Sequence, residues 1–209
     1  MCGLEPQDQG TSFGTWGDDV SRLMYRDSVP KWIEALALNT SHTWLDLGGA
    51  NGLLRPWFPH LVTVDYDATK EPDVVADLRT DPLPDVTRLG VIRYVLHYLD
   101  DEEVRHILRT LNLDTLVVVQ FVNAHVEAKR ANSRHEGPRY FRTLTDLVTL
   151  LVTDTGWEPG PQWSSDPYRV DGQFYAQRLG GSPGDYTSHT EAIHAITLRR
   201  TTTTTEESR

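Results

Sequence analysis

The stretch Thr43-Trp-Leu-Asp-Leu-Gly-Gly-Ala-Asn-Gly-Leu-Leu54 constrains this chain most, because it runs a short apolar segment straight into a turn punctuated by three glycines. Glycines at 48, 49 and 52 permit tight backbone turns and a close approach that a Cβ would block. A buried strand feeding such a turn opens an α/β unit, with the turn at the strand's carboxyl end and the ligand beyond it. Asp46, at the junction, decides which ligands the turn tolerates.

The rest of the chain supplies a sheet for this unit. Leu61-Val-Thr-Val-Asp65 and Asp73-Val-Val-Ala-Asp77 are short apolar runs closed by acids, and the segment from Arg88 to Tyr98 carries Val91, Ile92, Val95 and Leu96. Thr115-Leu-Val-Val-Val-Gln-Phe-Val122 has the near-continuous apolar character of a central strand buried on both faces. Helical spacing recurs over 18–38, where Pro30 separates two helices or starts the second, over 100–111 behind Asp100-Asp-Glu-Glu, and over 140–155. Alternating runs near 168–179 and 192–198 predict a closing antiparallel pair.

The expected fold class is therefore α/β: a doubly wound, mostly parallel seven-stranded sheet with a C-terminal antiparallel hairpin and an N-terminal helical cap. Residues 1–40 read as tail and cap, 41–200 as the sheet domain, and 201–209, with the run Thr201–Thr205, as a disordered tail. The polar stretch 123–139 is long for a connection and is expected to form a lid.

With 209 residues the chain fits one domain, and a net charge of −10 weakens the case for a sequence-independent grip on nucleic acid phosphates. Cys2 is the single cysteine, no apolar run reaches the length of a membrane span, and the start lacks the form of a signal peptide. A soluble, cytoplasmic protein with no membrane association is expected. The histidines form no His-x-x-x-His pair and no Cys/His set, so no metal is expected.

The glycine turn fits poorly to a dinucleotide fingerprint, since counting from Gly48 places Ala50 and Leu53 at the second and third glycine positions. A phosphate-cradling loop of the Gly-Lys-Ser/Thr kind is excluded, because no lysine lies between Lys31 and Lys70. Asp46 would also repel a pyrophosphate at short range. S-adenosylmethionine carries a sulfonium and an α-ammonium and no phosphate, so an acid beside a close-approach turn is complementary to it.

At this point the chain resembles the class I S-adenosylmethionine-dependent methyltransferases. Their first motif, Asp-x-Gly-x-Gly-x-Gly, is matched by Asp46, Gly48, Ala50 and Gly52, with Gly49 inside it and Ala50 as the departure. The resemblance implies that Asp65, with Tyr66 beside it, holds the ribose hydroxyls, Asp67 being the alternative. It implies that Asp77 and Leu78 meet the adenine. Arg93 and Tyr94 open the stretch to Leu99 that faces both cofactor and acceptor, and Tyr25 is a candidate cover from the N-terminal segment.

Methyl transfer from a sulfonium is an in-line displacement that rests on positioning, with a base needed only when the acceptor must lose a proton. His97 is a candidate base, against the reading of a histidine that merely packs at the strand end; His125 is a second, against that of an exposed loop residue. Tyr98, Arg139 and Tyr140 are candidates for the acceptor pocket. Ser165-Asp-Pro-Tyr168 lacks the second proline of the amino-methylating loop and lies too late in the chain, so it reads as a turn. The favoured acceptor is a small molecule. A nucleic acid or protein acceptor met by Lys129, Arg130, Arg134 and Arg139 is the alternative, as is a non-catalytic cofactor-binding subunit.

Overall fold

The apolar runs become the parallel strands of one sheet. The computed structural model describes residues 26–123, 143–170 and 189–201. In chain order the elements are α1 (Val29–Ala35), β1 (Trp44–Leu47), β2 (Leu61–Asp65), β3 (Val74–Val75), β4 (Leu89–Arg93), α2 (Asp101–Thr110), β5 (Thr115–Asn123), α3 (Leu144–Val152), β6 (Trp157–Ser164), β7 (Tyr168–Val170) and β8 (His189–Arg200). Spatial order is β3-β2-β1-β4-β5-β8-β6, with β7 also on β8. The first five positions pair in parallel, and β8 runs antiparallel to β5, β6 and β7. This is the expected mostly parallel α/β sheet. The order turns back on itself between β1 and β4, the switch point where open sheets of this kind take their ligands.

Alternation along the strands builds a core on each face. Leu45, Leu47, Ile92, Leu116 and Val118 pack with Val104, Ile107 and Leu108 of α2 and Leu147, Leu150 and Leu151 of α3. On the other face Trp44, Val91, Val117, Val119 and Phe121 pack with Val29, Trp32 and Leu36 of α1 and with Leu54 and Phe58 of the turn after β1. The face of Trp44 is also that of Asp46, which stands level with Val91 of β4.

Both longer helices start at capping boxes. Asp100 accepts the N–H of Glu103, whose carboxylate accepts the N–H of Asp100, and Thr143 and Asp146 repeat the exchange. Pro30 sits in the first turn of α1, as expected of a proline that starts a helix. The remainder of the expected cap, 1–25, lies outside the described residues, as do the expected lid beyond Asn123 and the tail from 202.

The strands differ from expectation in detail. The expected closing antiparallel pair is present, with Tyr168–Val170 running against His189–Glu191 of β8; residues 192–198 of β8 also pair antiparallel with β5 and β6, and 171–179 lie outside the described residues. β6 carries Pro159 and Pro161 at the border of the sheet, where a missing N–H is tolerated, and its register shifts between Pro159 and Gln162. Asp73 to Asp77 yields only the two-residue β3, because Asp73 turns back to accept bonds from the N–H and hydroxyl of Thr63 at 2.8 and 2.9 Å.

The link from β1 to β2 contains turns and no regular helix. Gly52 donates to Gly49, Arg55 to Gly52, and Phe58 to Leu54, which carries the chain back to β2 in 13 residues.

Candidate functional site

The glycine turn is fastened to the carboxyl ends of β1 and β2. Gly48 N–H donates to the Val64 carbonyl at 2.8 Å, and Gly49 N–H is 3.2 Å from both the Val64 and Asp46 carbonyls. Gly48 and Gly52 have φ of 74° and 77°, and Ala50, at 45°, is left-handed without being glycine. A Cβ on Gly48 would strike the Val95 side chain, and one on Gly49 would lie 2.5 Å from the Asp46 carboxylate. The two adjacent glycines are thus required by different neighbours.

Asp46 lies beneath this turn with 1 % of its surface exposed. Its Oδ2 has no hydrogen-bond partner among the described residues. Burial raises its pKa to about 6; the positive charges of Arg93 and Arg55 oppose the rise and the carboxylate of Asp65 adds to it. An unpaired buried carboxylate oxygen is costly to keep and is complementary to a cation.

Asp65, at the end of β2, accepts the N–H of Ala50 on Oδ2 and that of Asp67 on Oδ1, both at 3.0 Å. Each oxygen retains a lone pair for a hydroxyl donor. Tyr66 is 75 % exposed beside it. Asp67 instead caps the short 3-10 turn Ala68–Lys70 by accepting from Thr69.

Asp77 follows β3 and is held by Arg79, whose Nη2 and Nε lie 2.6 and 2.9 Å from its two oxygens. Those bonds lower its pKa. Arg79 also reaches Glu103 of α2 at 3.2 Å. Leu78 is half-buried against the α2 and α3 core.

Arg93 ends β4, the strand beside β1, and Tyr94 follows it. Arg93 is buried, and its guanidinium carbon lies 5.6 Å from the Tyr94 ring centre. Tyr94 has φ of 55° and stacks on Phe121 at 5.9 Å. A bulky residue in the left-handed region is unusual and stores strain at a strand end, where sites collect.

His97 sits on the 3-10 turn Leu96–Tyr98 and is 2 % exposed. Its ring lies 4.0 Å from that of Tyr98 and 5.0 Å from that of Phe121, and its Nδ1 is 3.4 Å from Gln120 Nε2. Tyr25 and His125 lie outside the described residues, as do Lys129, Arg130, Arg134, Arg139 and Tyr140. The structure therefore gathers Asp46, Gly48, Gly49, Ala50, Gly52 and Asp65 around one turn, brings Arg93 to it electrostatically, and sets Asp77 and Leu78 beyond β3.

Sequence reasoning passed over Gln120 and Arg55. Gln120 was visible as the one polar residue in the run from Leu116 to Val122. Arg55 carries no local signal; it contributes by reaching 18 residues ahead to Asp73 at 2.6 Å.

The chain has the Rossmann-like fold of the class I S-adenosylmethionine-dependent methyltransferases. It is similar to an S-adenosylmethionine-dependent methyltransferase from Clostridium acetobutylicum, with 12 % identity over 88 % of this chain and 94 % of that one, at a TM-score of 0.56. It is equally similar to one from Methanosarcina mazei, at 16 % identity, 81 % and 97 % coverage and a TM-score of 0.56. The cyclase SpnF matches at 16 % identity over 92 % of this chain and 86 % of its own, with a TM-score of 0.51. No family model matches the chain, and no curated protein matches it in sequence. Among the described residues, no helix is long and apolar enough to cross a membrane.

Proposed function

We propose that the turn after β1 binds S-adenosylmethionine and that the protein transfers its methyl group to a small-molecule acceptor. The observation that carries this reading is Asp46 Oδ2, buried beneath Gly49 without a partner among the described residues. Fold alone is a weaker guide, since a cyclase is among the proteins that share it.

In this reading the glycine turn receives the methionine portion, with Asp46 supplying negative charge beneath its cationic groups. Asp65 accepts from the ribose hydroxyls on the lone pairs that Ala50 and Asp67 leave, and Tyr66 lies over the same edge. Asp77, oriented by Arg79, accepts from the adenine amino group, and Leu78 provides an apolar flank. The bound cofactor supplies an electrophilic methyl group; the chain's own work is to position it and shield it from water.

Isothermal titration calorimetry with S-adenosylmethionine and S-adenosylhomocysteine tests the core of the proposal. Binding of both, weakened by Asp65→Ala, supports it; no heat from either ligand with the folded protein overturns it.

A further inference from the structure

Gln120 is the one polar residue among the inward-facing positions of β5, which otherwise read Leu116, Val118 and Val122 on that face. It is fully buried. Its Oε1 has no hydrogen-bond partner among the described residues, while its Nε2 lies 3.4 Å from His97 Nδ1. On the next strand its cross-strand partner is His194, whose Nδ1 is already engaged with Ser164 Oγ at 2.7 Å. The amide is thus directed at His97.

An amide nitrogen can only donate, so the imidazole nitrogen facing it must accept. We propose that Gln120 is a positioning residue that sets the tautomer of His97, holding the proton of the neutral ring on Nε2 and occupying the Nδ1 lone pair. The neutral ring of His97 then lacks the free lone pair that the general-base role, suggested from sequence by its place after β4, would need. Resting on the methyl-transfer reading above, this removes His97 from the candidate bases, so any proton that an acceptor must lose passes to another group.

Long-range proton–nitrogen NMR of the 15N-labelled full chain, recorded without cofactor, reads the proton position on each imidazole, and His97→Phe identifies the His97 signals. The expected spectrum has the His97 proton on Nε2. Gln120→Glu, whose carboxylate can only accept, moves the proton to Nδ1, and Gln120→Leu leaves a mixture of tautomers. A wild-type spectrum with the proton on Nδ1 overturns the proposal, as does a Gln120→Leu spectrum identical to wild type; should the variants not fold, the wild-type spectrum still decides. Because the spectrum needs neither ligand nor turnover, it separates this proposal from the one it rests on. Failure to bind S-adenosylmethionine removes the latter alone.

Discussion

The backbone N–H of Ala50 donates to Asp65 Oδ2 at 3.0 Å, so the acid that ends β2 also closes the glycine turn that follows β1. Asp65→Ala is expected to lower cofactor affinity by about 10- to 100-fold, corresponding to loss of hydrogen bonds to a charged group at roughly 1.5–3 kcal/mol. Asp65→Asn keeps one acceptor oxygen and should fall between the two. Calorimetry on the three proteins checks the order; equal affinities would show that the ribose lies elsewhere.

Asp46 gives a pH signature with a defined sign. Its folded pKa, near 6, is above its ordinary value of 3.8 because the carboxylate is buried. Its contribution to stability is therefore fully present below pH 3.8 and is lost as pH rises to about 6. Asp46→Asn should raise the melting temperature of the ligand-free protein at pH 7.5 through up to about 3 kcal/mol of relieved desolvation, an order-of-magnitude figure from about two pKa units.

A cation is held by the ionised carboxylate, so wild-type affinity for S-adenosylmethionine should fall as pH drops below about 6, with proton release on binding in that range. Titrations in buffers of different ionisation enthalpy measure the released proton. Asp46→Asn should bind more weakly and release none; a variant with wild-type affinity and the same pH profile would remove Asp46 from the site.

Ala50 occupies a left-handed conformation at φ of 45°, where glycine is at home. Ala50→Gly should stabilise the fold by up to about 1 kcal/mol, the strain relieved being partly offset by the added freedom of the unfolded chain. A rise in melting temperature of about 2–4 °C corresponds to that energy in a chain of this size. Affinity should stay within about twofold, since the Ala50 N–H that meets Asp65 is kept.

Gly49→Ala should act in the opposite direction. The added methyl lies 2.5 Å from the Asp46 carboxylate and 2.8 Å from its Cβ, so the turn or the acid must move. A cost of about 1–3 kcal/mol is expected from overpacking, together with weaker cofactor binding. Thermal melts and calorimetry report the two effects, and a variant as stable as wild type would mean that the turn yields more freely than its bonds to Val64 indicate.

The sheet and the turn were legible in the sequence because both depend on local pattern: apolar runs near Leu45, Val64, Ile92 and Val118, and glycines beside an acid. What was not legible depends on partners distant in the chain. Asp73 reads as the start of a strand until Thr63 is found bonded to it, and nothing local marks Trp157–Ser164 as a strand, since its place is set by pairing with β8. His97 reads as a base at an open strand end, and only the fold shows it enclosed by Phe121, Tyr98 and Gln120.

The 13-residue return from β1 to β2 carries a consequence for charge. Its peptides form successive turns, so their dipoles do not align into the half-unit of positive charge that an α-helix would direct at the ligand. That positive end is what draws phosphates to related nucleotide loops. Lacking it, the turn leaves the field of Asp46 and Asp65 less opposed, so converting this loop to a phosphate binder would require rebuilding residues 50–58 as a helix and not merely replacing the acids.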